Sequence, residues 1–159
     1  MPDPIHFSNL KLAAETFVGA VETSKRSIQL YASLIDPALF NMTQCVESLS
    51  DFARSSRTAS LKILVEDHKL FAVRFPALLT LSQRLTDLIE IRSVPPDIRH
   101  GTECYMVCDQ RSLWLIPNSE RLTGFFDSDD QVNASQYGDK FLYYWERSKQ
   151  PGELRRLSF

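Results

Sequence analysis

HGTECYMVCDQRSLWLI, residues 100–116, is the stretch on which the fold turns. TECYMVCD (102–109) and SLWLI (112–116) are two short runs of β-forming residues, parted by Asp109-Gln110-Arg111. A polar break headed by aspartate between two apolar runs marks a hairpin. Trp114 stands between Leu113 and Leu115, so one face of the second strand needs a cover other than solvent, and a homodimer contact there is one candidate. On the first strand Cys104 and Cys108 lie four steps apart, roughly 13 Å, beyond the reach of a disulfide. With Cys45 on a helix, the three cysteines read as buried, reduced thiols of a cytoplasmic protein. No metal site is expected, because paired ligand spacing is missing.

Working outward, LKLAAETFVGAVE (10–22) places Leu10, Ala13, Phe17 and Val21 on one helical stripe, with Ser8 or Asn9 as cap. SIQLYASLI (27–35) reads as a strand, and Asp36-Pro37 then opens a helix whose stripe is Leu39, Met42, Val46, Leu49 and Phe52. SLKILVE (60–66) suits a buried central strand. Residues 70–85 form a helix interrupted at Pro76, and LIEIRSV (88–94) forms a strand ended by Pro95-Pro96. After the hairpin comes a loop at 117–128. Asp129 and Asp130 then cap a last helix carrying Val132, Tyr137, Phe141 and Tyr144/Trp145.

Strands alternating with helices predict an α/β fold: a three-layer sandwich with a mixed, mostly parallel sheet, helices on both faces and a C-terminal hairpin plus helix. Such sheets bind ligands beyond the carboxyl ends of their parallel strands. Those ends offer Asp36, Asp67-His68-Lys69 and Ser93.

The 159 residues suit one domain, with 1–25 as an N-terminal helical extension. A net charge of −2 provides no global field to attract nucleic acid or an anionic membrane. MPDPIHFSNL carries aspartate and proline where a signal peptide needs a basic start and an apolar run. No apolar stretch is long enough to span a bilayer.

This order of elements, with the 102–119 hairpin and the closing FLYYWERS, resembles one repeat of the phospholipase D-like fold. The resemblance implies a strand-borne H-x-K-x-x-x-x-D motif, whose histidine attacks phosphorus, whose lysine neutralises the phosphate and whose aspartate supports the histidine. Anchoring the motif's aspartate on Asp109 puts Thr102 at the histidine position and Cys104 at the lysine position. A hydroxyl and a thiol cannot replace imidazole and ammonium in that chemistry. The motif's later asparagine region falls near Asn118-Ser119. The run from residue 26 onward is also similar to a small bacterial phospholipase D-like domain of unknown function that lacks the full motif and often follows an N-acetyltransferase domain. Asp109, Trp145-Glu146-Arg147 and Glu153-Leu154-Arg155-Arg156-Leu157 carry that similarity. The chain has no room for an acetyltransferase and no G-x-G acyl-CoA loop, so such a partner would be a separate subunit.

The candidate ligand-binding residues are therefore Asp36, Asp67, His68, Lys69, His100, Asp109 and Asn118, with an anion as the candidate ligand. No catalytic residue, metal or cofactor is assigned. Asp109 is read first as a turn residue and second as a remnant of phosphate chemistry. His68-Lys69 and an Arg92/Arg99/His100 group read as solvated side chains or as anion-holding clusters. Tyr143, Tyr144 and Trp145 cover a sheet or stack on a base, and Arg155-Arg156 tethers the tail or meets an acidic partner. Two readings of function stay open: a non-catalytic binding module, and a phosphodiesterase with a displaced histidine such as His100 near Lys69. An accessory subunit of an acetyltransferase is a third.

Overall fold

A computed structural model describes residues 3–99 and 102–152. The chain runs β1 (Ile5–Phe7), α1 (Leu10–Glu22), β2 (Ser27–Ala32), α2 (Pro37–Asn41), α3 (Thr43–Arg54), β3 (Ser60–Val65), α4 (His68–Arg74), α5 (Pro76–Arg84), β4 (Ile89–Ser93), β5 (Cys104–Cys108), β6 (Ser112–Ile116), β7 (Gly124–Asp127) and α6 (Gln131–Arg147). Caps follow local chemistry. Asn9 accepts from the Leu12 amide, Asp36 from Ala38, Asp67 from Lys69 and Leu70, and Asp130 from Asn133.

The strands form one sheet in the order β1-β7-β6-β5-β2-β3-β4. Only β2–β3 and β3–β4 are parallel; the other four neighbouring pairs are antiparallel. The expectation of a mostly parallel sheet is thus corrected. A parallel return needs a long crossover, usually a helix, and only the βαβ units from β2 to β4 contain one. β5 and β6 are joined by three residues, Asp109, Gln110 and Arg111, of which the first two have positive φ (54° and 56°). Those angles suit a tight hairpin, which the right-handed strand twist favours.

Helices cover both faces. On one side Phe17, Leu39, Phe40, Leu49, Phe52, Phe71 and Leu78 from α1 to α5 bury the even-numbered side chains of β5, namely Cys104, Met106 and Cys108. On the other side α6 covers Tyr31, Leu64, Tyr105, Val107 and Leu113 with Ala134, Phe141, Tyr144 and Trp145. The segment read as an N-terminal extension contributes β1 to the sheet edge and the buried Ala13, Ala14, Phe17, Ala20 and Val21 to the core.

Two further expectations change. The helix opened by Asp36-Pro37 is broken at Met42, whose φ/ψ of −69°/129° is extended. At the break the Asn41 amide donates to the Pro37 and Arg74 carbonyls, each at 2.8 Å, tying the break to the α4–α5 junction. The loop at 117–128 contains β7, paired with both β6 and β1. Gly124 opens it because a Cβ there would lie 1.9 Å from the Leu115 carbonyl oxygen. Trp114 is fully buried within the chain: its ring meets Phe7 and Phe17, and its Nε1 donates to Thr16 Oγ1 at 3.2 Å. The cover that this face needs is supplied within the chain.

Candidate polar site at the carboxyl end of the parallel strands

Where β2 and β3 end, Ser33 and Glu66 follow the last paired residues, Ala32 and Val65. β5 runs antiparallel to β2, so its leading residues Thr102 and Glu103 arrive at the same end. Ser33 is fully buried and its hydroxyl donates to the Glu103 carbonyl. The Glu66 carboxyl lies beside Tyr31 and Ser33. Burial pushes the Glu66 carboxyl above the usual carboxylate range, with Tyr31, Arg99 and Ser33 opposing the shift. Burial, then Glu66, likewise raises the Tyr31 phenol. Arg99 Nε donates to the Val94 carbonyl at 2.9 Å.

Beside this group Glu103 is held by α6. Tyr137 Oη donates to Glu103 Oε2 at 2.5 Å, and Lys140 Nζ meets Glu103 Oε1 at 2.5 Å. Tyr31 and Tyr105 stack at 5.3 Å, and Tyr105 meets Tyr137 edge-on at 4.9 Å. The site end of the sheet thus carries carboxyls and phenols, with Arg99 and Lys140 as the cations beside them.

The expected site residues fall differently. Asp36, Asp67, His68, Lys69 and Asn118 all lie at this end, but their chemistry is largely committed to local structure. Asp36 and Asp67 are helix caps, and the amides of Leu70 and Lys69 hold the Asp67 carboxyl below its ordinary range. His68 and the exposed Lys69 form the first turn of α4. Asn118 Oδ1 accepts from the Glu120 amide at 3.0 Å, and Ser119 N donates to the Thr102 carbonyl at 2.6 Å. His100 and residues 153–157 lie outside the described residues.

Asp109 is not with them. It sits at the opposite end of β5, about 20 Å of extended strand from Glu103. There its carboxylate accepts from the Lys25, Arg26 and Ser27 amides at 2.9, 2.7 and 3.0 Å. Asp109 thus organises the entry to β2, acting on a distant loop as well as shaping its own turn. Arg92, expected in a cationic group with Arg99 and His100, packs 4.4 Å over the Trp145 ring and pairs with Glu90. Tyr144 and Trp145 cover the sheet, while Tyr143 is half exposed.

Ser33, Glu66, Glu103, Tyr31, Tyr137 and Lys140 had no spacing by which the sequence could group them. The cysteines are as expected: free and buried, each thiol pushed up to about 12 by burial. No group of three or more metal-ligating side chains gathers among the described residues. Native protein is expected to leave all three thiols unmodified by iodoacetamide at pH 8, whereas protein in guanidinium chloride reacts at all three. Stoichiometric labelling of native Cys104 would contradict the burial.

A family model described as Domain of unknown function (DUF7931) matches residues 9–157. The chain belongs to that family. Among curated proteins no sequence matches. Among solved structures, the fold is similar to Nuc from Salmonella typhimurium, a phospholipase D family member (TM-score 0.66, 12% identity, covering 94% of this chain and 99% of that one). It is also similar to NucT from Helicobacter pylori (0.67, 8%, 94% and 99%). A third is TrmBL2, an archaeal chromatin protein whose structure shows a mode of DNA binding (0.64, 16%, 94% and 55%). The DUF7931 chain thus spans nearly the whole of Nuc and NucT but just over half of TrmBL2. At these identities the likeness is one of fold, and the fold is phospholipase D-like. No helix among the described residues is long and apolar enough to cross a membrane.

Proposed function

We propose that this DUF7931 chain is a non-catalytic binding module that keeps a phospholipase D-like fold without its phosphate chemistry. One observation supports this above the others. At the position of the motif's lysine, Cys104 has no exposed surface and its side chain is sealed beneath α1–α5. The position two residues earlier carries Thr102. Covalent phosphoryl transfer needs an activated nucleophile and a cation on one phosphate, and neither Thr102 nor Cys104 supplies one. Neither described histidine is on β5: His6 is on the edge strand β1, and His68 starts α4.

The ligand would be met at the carboxyl end of the parallel strands, near Ser33, Glu66 and Glu103. A homodimer and an acetyltransferase subunit remain proposed partners and the cytoplasm the proposed location. Light scattering and co-purification test the partners.

Purified protein is expected to hydrolyse neither bis(p-nitrophenyl) phosphate, single-stranded DNA nor phosphatidylcholine above the buffer rate. Turnover of any of these that is abolished by His100→Ala or His68→Ala would replace the binding-module reading with the displaced-histidine enzyme.

A further inference from the structure

Between β2, β5 and α6 lies a small recess lined by Tyr31, Glu103, Tyr105, Lys140 and Tyr144, with a free volume of about 10 Å³. That is room for about one water. Apart from Lys140, its lining has one electrostatic character. Aromatic faces carry the negative end of the ring quadrupole and attract cations, and the Glu103 carboxylate adds a full charge. Glu66 lies close enough to raise the Tyr31 and Tyr144 phenols further. An anion, the ligand of a phospholipase D site, is disfavoured here.

The protein already places a cation in this setting. Lys140 Nζ pairs with Glu103 and stands 5.9 Å from the Tyr105 ring centre and 5.5 Å from that of Tyr137. Its side chain is 38% exposed, so it reaches in from the solvent side. A second observation is that one polar group of the lining stays unpaired with Lys140 in place. The Tyr105 hydroxyl is buried in a residue only 1% exposed and has no hydrogen-bond partner among the described residues. Buried polar groups are almost always paired. An ammonium has three N–H donors, enough to serve both the Glu103 carboxylate and the Tyr105 oxygen.

We propose that this recess binds a primary alkylammonium group, and that Lys140 is an intramolecular occupant that such a ligand displaces. The proposal rests on the binding-module reading and specifies its ligand class: a cationic amine, either free or on a lysine side chain. Lys140 competes as a tethered copy of the ligand, so it weakens binding without any change of fold.

The test titrates wild type, Lys140→Ala and Lys140→Ala/Glu103→Gln with n-butylammonium, a lysine-containing tripeptide, its Nε-acetylated form and the neutral n-butanol. Binding is read from tyrosine difference absorbance. Lys140→Ala is expected to bind n-butylammonium at least tenfold tighter than wild type, and Glu103→Gln to reverse that gain. Tight binding of the tripeptide, lost on acetylation, identifies a peptidyl source; binding of butylammonium alone identifies a free amine. Lys140→Met, which keeps the recess filled, is expected not to show the gain, and it provides a folded comparison. Equal affinities for butylammonium and butanol, or no difference among the variants, would overturn the proposal. Either result would leave the non-catalytic reading standing, because only diester hydrolysis bears on that.

Discussion

Cys104→Lys is expected to unfold or nearly unfold the protein, and Thr102→His/Cys104→Lys to give no diesterase. The double variant restores on paper the two reagents that β5 lacks at its leading end. Yet the Cys104 side chain points into the layer beneath α1–α5, with no exposed surface. A lysine there must either carry an unpaired charge in an apolar core or surrender its proton. Buried lysines commonly lose 3–5 pKa units, each worth about 1.4 kcal/mol, so the cost is about 4 kcal/mol or more. Domains of this size hold only about 5–15 kcal/mol in total.

The sign of the pH dependence follows. A lysine with a depressed folded-state value binds its proton more tightly when unfolded, so stability rises with pH toward the free-lysine range. Urea midpoints of Cys104→Lys are therefore expected to climb relative to wild type between pH 7 and pH 9.5. A stable Cys104→Lys with no such slope, or a double variant that cleaves a diester, would show that the face is open and the binding-module reading wrong.

Trp114→Ala is the second large effect, with an expected loss of about 3–5 kcal/mol. Trp114 is fully buried, with Phe7 stacked at 5.6 Å, Phe17 edge-on at 5.2 Å and a hydrogen bond to Thr16. Truncation leaves a cavity between β6, β1 and α1, while the Thr16 hydroxyl keeps its bonds to the Leu12 and Ala13 carbonyls. Trp114→Phe retains most of the packing and loses the N–H, so it is expected to cost about 1–2 kcal/mol, the range for a lost buried hydrogen bond. Urea unfolding followed by circular dichroism separates the two. A Trp114→Ala protein as stable as wild type would reopen the idea that this face is covered by a second copy.

The two predictions concern neighbouring stretches of one hairpin, and they show what can be read from a linear chain. α1 with its Asn9 cap, the strands β2, β3 and β4, the break at Pro76 and the Asp130-capped α6 were all legible. Each is long enough for its periodicity to show, or is opened by a residue whose side chain bonds its own backbone. β1 and β7 were not legible, being only three and four residues long. Runs that short have no visible period, and they are strands only because they pair with each other and with β6. The split at Met42 was hidden for a related reason: the Asn41 amide that accompanies it bonds the Arg74 carbonyl, 33 residues away.

The site divides along the same line. That Asp36, Asp67, His68 and Lys69 stand at the carboxyl ends of β2 and β3 was readable from the βαβ order, as was the Asp36 cap, whereas the Asp67 cap on α4 was not. Asp109 was rightly seen as a turn residue, but its service to the amides of Lys25, Arg26 and Ser27 depends on β2 lying beside β5. The same antiparallel pairing carries Asp109 to the far end of the sheet from the residues it was grouped with. By itself the sequence determined the identity of most elements and the burial of the thiols, since these depend on local periodicity and composition. Tertiary structure alone decided that the sheet is chiefly antiparallel, that α6 brings Tyr137 and Lys140 onto Glu103, and that Ser33 and Glu66 meet at one end. Those outcomes rest on hydrogen bonds between residues tens of positions apart, whose partners no local pattern names.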